Sequence, residues 1–326
     1  MTPSITESPG PGLPTELPPP ARDLAETVIA ATGEELSAIL LYGSQLLRAE
    51  PDLHSAWDLV LVVERYQPFH RALVASGLHR GPAWLLDLMG QILPPSVTAL
   101  QAANSEAIGK CVIVSRGHFE RGLLPGAPDH FLKGRLIQKV ALVWARDATT
   151  TTAIERWIRV ARRDVLSWIA SDIVEPFDAS AAALRILEVS YAGELRPEDS
   201  GRVREVHAAQ EAWLEEAFAE VLREAAAEGE LVVDRSGGYR FAHPPGVGQR
   251  LRRRLYFVRS KARATLRWLK YVLTFDGWLT YLVRKVERRT GEAVELTPLE
   301  ARYPLIFLWP RAIRFLLDPA RRKGPM

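Results

Sequence analysis

The chain has 326 residues, is 47% hydrophobic and 25% charged, and carries a net charge of +3, a globular profile long enough for two domains. Its one cysteine, Cys111, excludes a disulfide framework and leaves no thiolate set for zinc. No apolar run reaches the ~20 residues a bilayer-spanning helix needs, since Tyr303 to Trp309 is short and Arg311 and Arg314 follow.

Thr2 to Pro20 is rich in Pro, Gly, Ser and Thr and reads as a disordered tail over residues 1–20. It shows neither a secretory leader nor the basic character of a transit peptide, so the expected setting is cytoplasmic. Arg22 to Thr32 reads as a helix, Ser37 to Tyr42 as a strand, Gln45 to Glu50 as a short helix and Trp57 to Val63 as a second strand. Phe69 to Gly77 and Trp84 to Leu93 read as helices, and Ile108 to Ser115 and Lys139 to Ala145 as strands. The expectation for 21–148 is a small mixed α/β sheet with helices around it. From Thr151 to Gly229 apolar residues recur at helical spacing, as in Ile154, Trp157, Ile158, Val165, Trp168 and Ile169. Leu231 to Ala242 predicts a hairpin turning at Ser236-Gly237-Gly238, which makes 149–243 a helical, winged-helix-like domain.

Pro244-Pro245-Gly246 opens a basic extension over 244–326. From Arg250 onward there are 19 lysines and arginines against 6 acidic residues, which leaves 23 against 33 in the preceding chain. A basic end on an acidic body implies an anionic partner surface, lipid or nucleic acid. Leu251 to Leu273 predicts one helix with Leu255, Val258, Ala262, Leu266, Leu269 and Leu273 on a stripe. Arg252, Arg259, Arg263, Arg267 and Lys270 flank that stripe, while Phe257, Trp268 and Tyr271 lie on another side. An apolar stripe with a basic flank is what an interfacial membrane helix needs, and Arg302 to Leu317 repeats the pattern. The expected contact is peripheral, through residues 250–317, on the inner face of the cell membrane; nucleic acid is the less favoured partner.

Leu40-Leu41-Tyr42-Gly43-Ser44 ends an apolar run abruptly, and Trp57-Asp58-Leu59-Val60-Leu61-Val62-Val63 carries one acid near its start. Strand, Gly-Ser, helix, then a strand with Asp is the order of a nucleotidyltransferase active-site edge. Gly lets a phosphate approach the backbone, and Ser with the following N–H groups can hold the anion. The usual pair of acids is absent, because Ala56 occupies the first position and only Asp58 remains. Glu50, Asp52 and Glu64 are candidates for a second carboxylate. The seven histidines show no metal-ligand spacing.

Further along come Lys110-Cys111-Val112-Ile113-Val114-Ser115, Gly134-Arg135-Leu136-Ile137-Gln138-Lys139-Val140 and Ser190-Tyr191-Ala192-Gly193-Glu194-Leu195-Arg196. With the Tyr-Gly-Ser and lone-Asp segments, and in this order, they resemble the mitochondrial translocator assembly and maintenance family. Its members are peripheral CDP-diacylglycerol synthases, or phosphatidate cytidylyltransferases, of the nucleotidyltransferase superfamily. The resemblance runs from Leu40 to Phe218 and includes the non-acidic residue at the position of Ala56. Cys111 and Val112 replace a Tyr-Gly pair, Ile137 is an extra residue, and Val140 stands where Pro is usual. The family's aromatic and His segment has no clean counterpart between His70 and Pro95.

The resemblance implies that CTP and phosphatidate give CDP-diacylglycerol and pyrophosphate, with Mg²⁺ or Mn²⁺. It implies a catalytic set of Ser44, Asp58 and Lys110, with nucleotide held at Tyr42, Gly43 and Ser44. Asp58 is the implied metal ligand, and Lys110 balances triphosphate charge. Arg135, Lys139 and Arg196 are the implied cations for the phosphate of phosphatidate. Two alternatives stay open: a nucleotidyltransferase modifying a small molecule, RNA or a protein, and a non-catalytic membrane- or nucleic-acid-binding protein on the same fold.

Overall fold

The computed structural model describes residues 17–48, 55–173, 175–194 and 200–274, with 296–297 and 299–300. Helix α1 (Pro19–Thr32) leads into β1 (Leu36–Tyr42), a single turn α2 (Ser44–Leu47) and β2 (Trp57–Val63). Then come α3 (Tyr66–Ala75), α4 (Ala83–Ile92), β3 (Ser96–Gln101), β4 (Ile108–Ser115), α5 (Arg116–Leu123), α6 (Phe131–Leu136) and β5 (Ala141–Ala145). Helices α7 (Ala148–Asp164), α8 (Leu166–Ile169), α9 (Ala179–Ala192), α10 (Ser200–Ala208) and α11 (Glu211–Ala227) follow. The hairpin β6 (Leu231–Val233) and β7 (Tyr239–Phe241) and the long α12 (Val247–Thr274) complete the series.

Among the described residues, one mixed sheet has the order β3-β4-β2-β1-β5. Strands β2 and β4 run parallel, and the other pairs are antiparallel. Helices cover both faces, which is why β1 and β2 read as nearly unbroken apolar runs rather than alternating ones. Leu41, Leu59, Leu61 and Cys111 face α1 and α3 with Leu24, Val28 and Phe69. Leu40, Tyr42, Val60, Val112 and Val114 face the other way, into a cluster with Leu136, Ile154, Ile186, Leu214 and Phe218. The helices after Asp147 therefore share one core with the sheet, and that face carries the residues of interest.

Three expectations are corrected here. The expected tail overlaps an ordered start: α1 begins at Pro19, and Leu17 packs on the core beneath it. Proline is suited to the first helical turn because its φ is already set and its missing N–H would have had no partner there. Strand β3 was not expected; it is a short edge strand directly after Pro94-Pro95, paired on one side only to β4. Its hydrogen bonding comes from β4 rather than from a strong pattern of its own.

The third correction concerns α12. Arg263, Arg267 and Lys270 turn inward and hold the helix to the body, while Arg252 and Arg259 stay exposed beside the apolar stripe. Arg263 Nε and Arg267 Nη1 both donate to Asp129 Oδ2 at 2.7 Å. Arg267 also donates to Pro94 O and stacks on the Phe131 ring. Lys270 Nζ donates to the Leu93 and Pro95 carbonyls, at 2.6 and 2.8 Å, and to Met89 O, so it caps the negative end of α4. Ser260 is buried against His130. The apolar stripe lies outside: Leu251, Leu255, Val258 and Leu266 are all more than half exposed. Residues 275–295 and 301–326 lie outside the described residues, among them the whole expected second membrane segment Arg302 to Leu317, and so do the side chains of Trp268, Leu269 and Leu273.

The hairpin forms where expected. Asp234 Oδ1 accepts from the Ser236 and Gly238 N–H groups and from the Ser236 hydroxyl, and Gly237 takes φ +85°. Among the described residues no helix is long and apolar enough to cross a membrane.

Candidate active site

Register brings the motif residues together. Tyr42 pairs with Asp58 across β1 and β2, and Asp58 pairs with Lys110 across β2 and β4. All three lie on the sheet face that meets α6 and α9, at one end of the sheet. Lys110 Nζ stands 3.4 Å from Asp58 Oδ1, with both side chains partly exposed. Gly43 follows directly at φ +85° and ψ −169°, a backbone region that is essentially glycine-only and costs another residue about 1–3 kcal/mol. A Cβ added there would sit 2.8 Å from Asp58 Oδ2. Glycine is required on both counts, by the turn and by the carboxylate resting against its Cα.

Ser44 is exposed at the mouth, while buried Gln45 donates to Ser55 O at 3.0 Å and ties the turn to the start of β2. The helix expected over Gln45 to Glu50 is the four-residue α2. One turn carries little macrodipole, so the anion-holding capacity of this edge rests on the Ser44 hydroxyl and the cations around it.

Helix α6 brings Arg135 to the same place. Its Nη1 donates to Phe131 O at 2.9 Å, its guanidinium stacks on the Phe131 ring at 3.9 Å, and its Nη2 stands 3.2 Å from Glu194 Oε1. Burial opposes its charge, but Glu194, followed by Tyr42, Tyr271 and Asp58, holds its pKa above the ordinary value. The Tyr42 phenol is pushed up by burial first and by Asp58 second, against the pull of Arg135. It is therefore a neutral hydrogen-bonding group at neutral pH. Asp58, Lys110, Arg135, Tyr42 and Glu194 form one charged cluster, with Tyr271 of α12 within its field.

Two motif glycines are explained by close packing. A Cβ on Gly134 would lie 2.4 Å from Ser190 Oγ, and one on Gly193 would lie 2.8 Å from the Phe257 ring. Small residues there let α6 and α9 approach, and let α12 lie over the end of α9.

Other expected residues are placed differently. The backbone N–H of Lys139 donates to Gln210 Oε1 at 2.9 Å, fixing it at the corner between α10 and α11. Glu64 stands six residues along β2 from Asp58, roughly 20 Å away, where it accepts from Ser37 and pairs with Arg146 and Arg116. It is removed as a second carboxylate by strand geometry alone. Arg196, Glu50 and Asp52 lie outside the described residues. Sequence reading missed Glu194 as the partner of Arg135, although it occupies the acidic position of the Ser-Tyr-x-Gly motif. It also missed Tyr271, for which no sequence signal exists.

Among the described residues no three His, Cys, Asp or Glu side chains gather as a metal cluster. Asp58 is the hard oxygen donor of this edge. Mg²⁺ is commonly bound by one or two carboxylates together with substrate phosphates and water, so the donor set fits a metal brought in with a nucleotide triphosphate. No protein-family model matches the chain, and no curated protein sequence is detectably similar to it.

Proposed function

We propose that the chain is a metal-dependent nucleotidyltransferase, a phosphatidate cytidylyltransferase acting at a membrane surface in phospholipid synthesis. The observation that carries this reading is Gly43 pressed against Asp58, with Lys110 and Arg135 beside them at one end of the sheet. The motif resemblance from Leu40 to Phe218 supplies the choice of CTP and phosphatidate.

In this reading Ser44 and Lys110 bind the β- and γ-phosphates, and Arg135 orients the phosphate of the acceptor. An oxygen of that phosphate forms a bond to the α-phosphorus of CTP. The bond from the α-phosphorus to the bridging oxygen breaks, and pyrophosphate leaves with the electron pair. The phosphate monoester is already ionised, so no strong general base is needed. Positioning and charge stabilisation account for the rate. Asp58 would hold Mg²⁺ or Mn²⁺, which supplies neutralisation of the triphosphate charge. Burial keeps the Tyr42 phenol protonated, so it donates rather than adding negative charge to the site.

Membrane contact belongs to the same reading. The exposed stripe Leu251, Leu255, Val258 and Leu266 on α12 supports it, as does the stripe Trp84, Leu88 and Ile92 on α4. Exposed Arg252, Arg254 and Lys261 stand beside the α12 stripe, the mixture an anionic bilayer surface attracts. The helices that close on the β6–β7 hairpin support the winged-helix-like description.

The test is pyrophosphate release from each of the four NTPs, with and without phosphatidate liposomes. Release that needs both CTP and phosphatidate, and that Asp58→Asn abolishes in folded protein, is the expected result. Release from another NTP or without lipid would keep the reaction class and discard the substrate. No release with any divalent metal would overturn the enzymatic reading in favour of a binding protein.

A further inference from the structure

A cavity of about 480 Å³ lies between the end of α4, helix α5 and the middle of α12. It is separate from the Asp58 edge. Val114 in its wall stands four residues along β4 from Lys110, roughly 13 Å away. Its lining divides by chemistry. Arg121, Arg259, Arg263 and His118 form one part, and Ile92, Leu124 and several prolines form the other. The acidic side chain in the wall, Asp129, is already neutralised by Arg263 and Arg267.

The cations keep donors to spare. Arg121 uses Nε on Gly117 O, and Arg259 uses one terminal nitrogen on Ala127 O. His118 Nδ1 lies 3.0 Å from Ser115 Oγ and 3.1 Å from the Tyr66 hydroxyl. When Nδ1 accepts from one of these hydroxyls, the ring proton sits on Nε2. Burial, then Arg121 and Arg263, holds the His118 pKa below its ordinary value. Both arginines line the cavity with this ring and act on it electrostatically. A planar guanidinium fork suits phosphate oxygens, and the apolar wall suits a non-polar body attached to them. At its mouth Ile92 continues the exposed stripe of Trp84 and Leu88 on α4.

We propose that this cavity is a second anion site, taking a phosphate group carried on an apolar body, apart from the Asp58 edge. The inference does not rest on the cytidylyltransferase reading, because none of the residues assigned to that reaction lines the cavity. An anionic lipid headgroup and a soluble aromatic phosphate share this chemistry.

The test uses the full chain and a dihexanoyl phosphatidate with a photoreactive diazirine in one acyl chain. Adducts are mapped by mass spectrometry, with unlabelled dihexanoyl phosphatidate, phenyl phosphate or inorganic phosphate as competitors. The expected result is labelling within residues 91–95 and 118–132, lowered at least tenfold by Arg121→Gln and by Arg259→Gln. Arg121 is exposed, so its variant tests the site without disturbing the fold, and a matching circular dichroism melt checks this. Arg135→Gln should leave the labelling in place. Competition by phenyl phosphate as strong as by the lipid would assign a soluble ligand, and competition by the lipid alone a headgroup. Either upholds the site. Labelling confined to residues near Tyr42, Asp58 or Arg135 would overturn it, as would unchanged labelling in folded Arg121→Gln. Competition by inorganic phosphate as strong as by the lipid would overturn the apolar half.

Discussion

Asp129→Ala should undock α12. The carboxylate accepts from Arg263 Nε and Arg267 Nη1 at 2.7 Å each and from the Phe131 N–H at 3.0 Å. Arg267 is 2% exposed, so removing Asp129 leaves its charge buried without a carboxylate among the described residues, held by Pro94 O and the Phe131 ring. Breaking one partner of a buried pair costs about 3–5 kcal/mol, a large share of the roughly 5–15 kcal/mol that holds a whole domain together. Local release of the helix exposes less than global unfolding does, so the loss should appear first in α12. Amide exchange over residues 247–274 should speed up by about 100-fold or more, while β1, β2 and β4 stay protected. The double variant Asp129→Leu, Arg267→Met removes both charges and should recover most of the protection. Hydrogen exchange read by mass spectrometry decides the matter. Unchanged exchange in α12 for Asp129→Ala, with a stability loss under about 1 kcal/mol in urea, would refute the assignment of this triad as the helix anchor.

Gly43→Ala should cost about 1–3 kcal/mol from the φ +85°, ψ −169° backbone and should turn Asp58 aside. Nucleotide-dependent turnover should fall at least 100-fold in a protein whose circular dichroism is unchanged; retained turnover would refute the packing argument. Stability should fall with acid in a defined window. His70 and His130 are buried, and burial holds their pKa values down to about 3 and about 4. The unfolded chain takes up these protons first, so the contribution is whole above pH ~6.5 and is lost below it. Each histidine costs up to about 1.4 kcal/mol per pH unit there. For Asp129, burial works against the charge, but Arg267 and Arg263 win and depress its pKa. Its contribution is therefore full above the ordinary carboxylate range and is lost as pH falls through the lower folded value. Urea midpoints that stay flat from pH 7.5 to pH 5 would contradict the histidine argument. Finally, Leu255→Glu with Val258→Glu should weaken sedimentation with phosphatidate liposomes at least tenfold and leave the melting temperature nearly unchanged, since both side chains are exposed.

The sequence by itself determined the order of the motifs and most local elements, with β3, α5 and α6 as exceptions. Strands β2 and β4 were legible to the residue, because continuous β-branched runs bounded by polar turns have one stable reading. The Gly-Ser turn and the lone Asp were legible for the same reason, since their chemistry is carried by residue type. Alternation and register then place Tyr42, Asp58 and Lys110 on one face. What the tertiary structure alone decided is which way α12 turns and what closes the site around it. Helical periodicity names two faces but not which of them meets the protein, and long arginine stems let a basic face pack inward when acceptors wait there. Asp129, Pro94 and the carbonyl end of α4 are those acceptors, and they lie more than 130 residues away in sequence. The pairing of Arg135 with Glu194 and the approach of Tyr271 have the same origin. They are long-range electrostatic contacts that exist only after the sheet and helices have packed, so no local pattern encodes them.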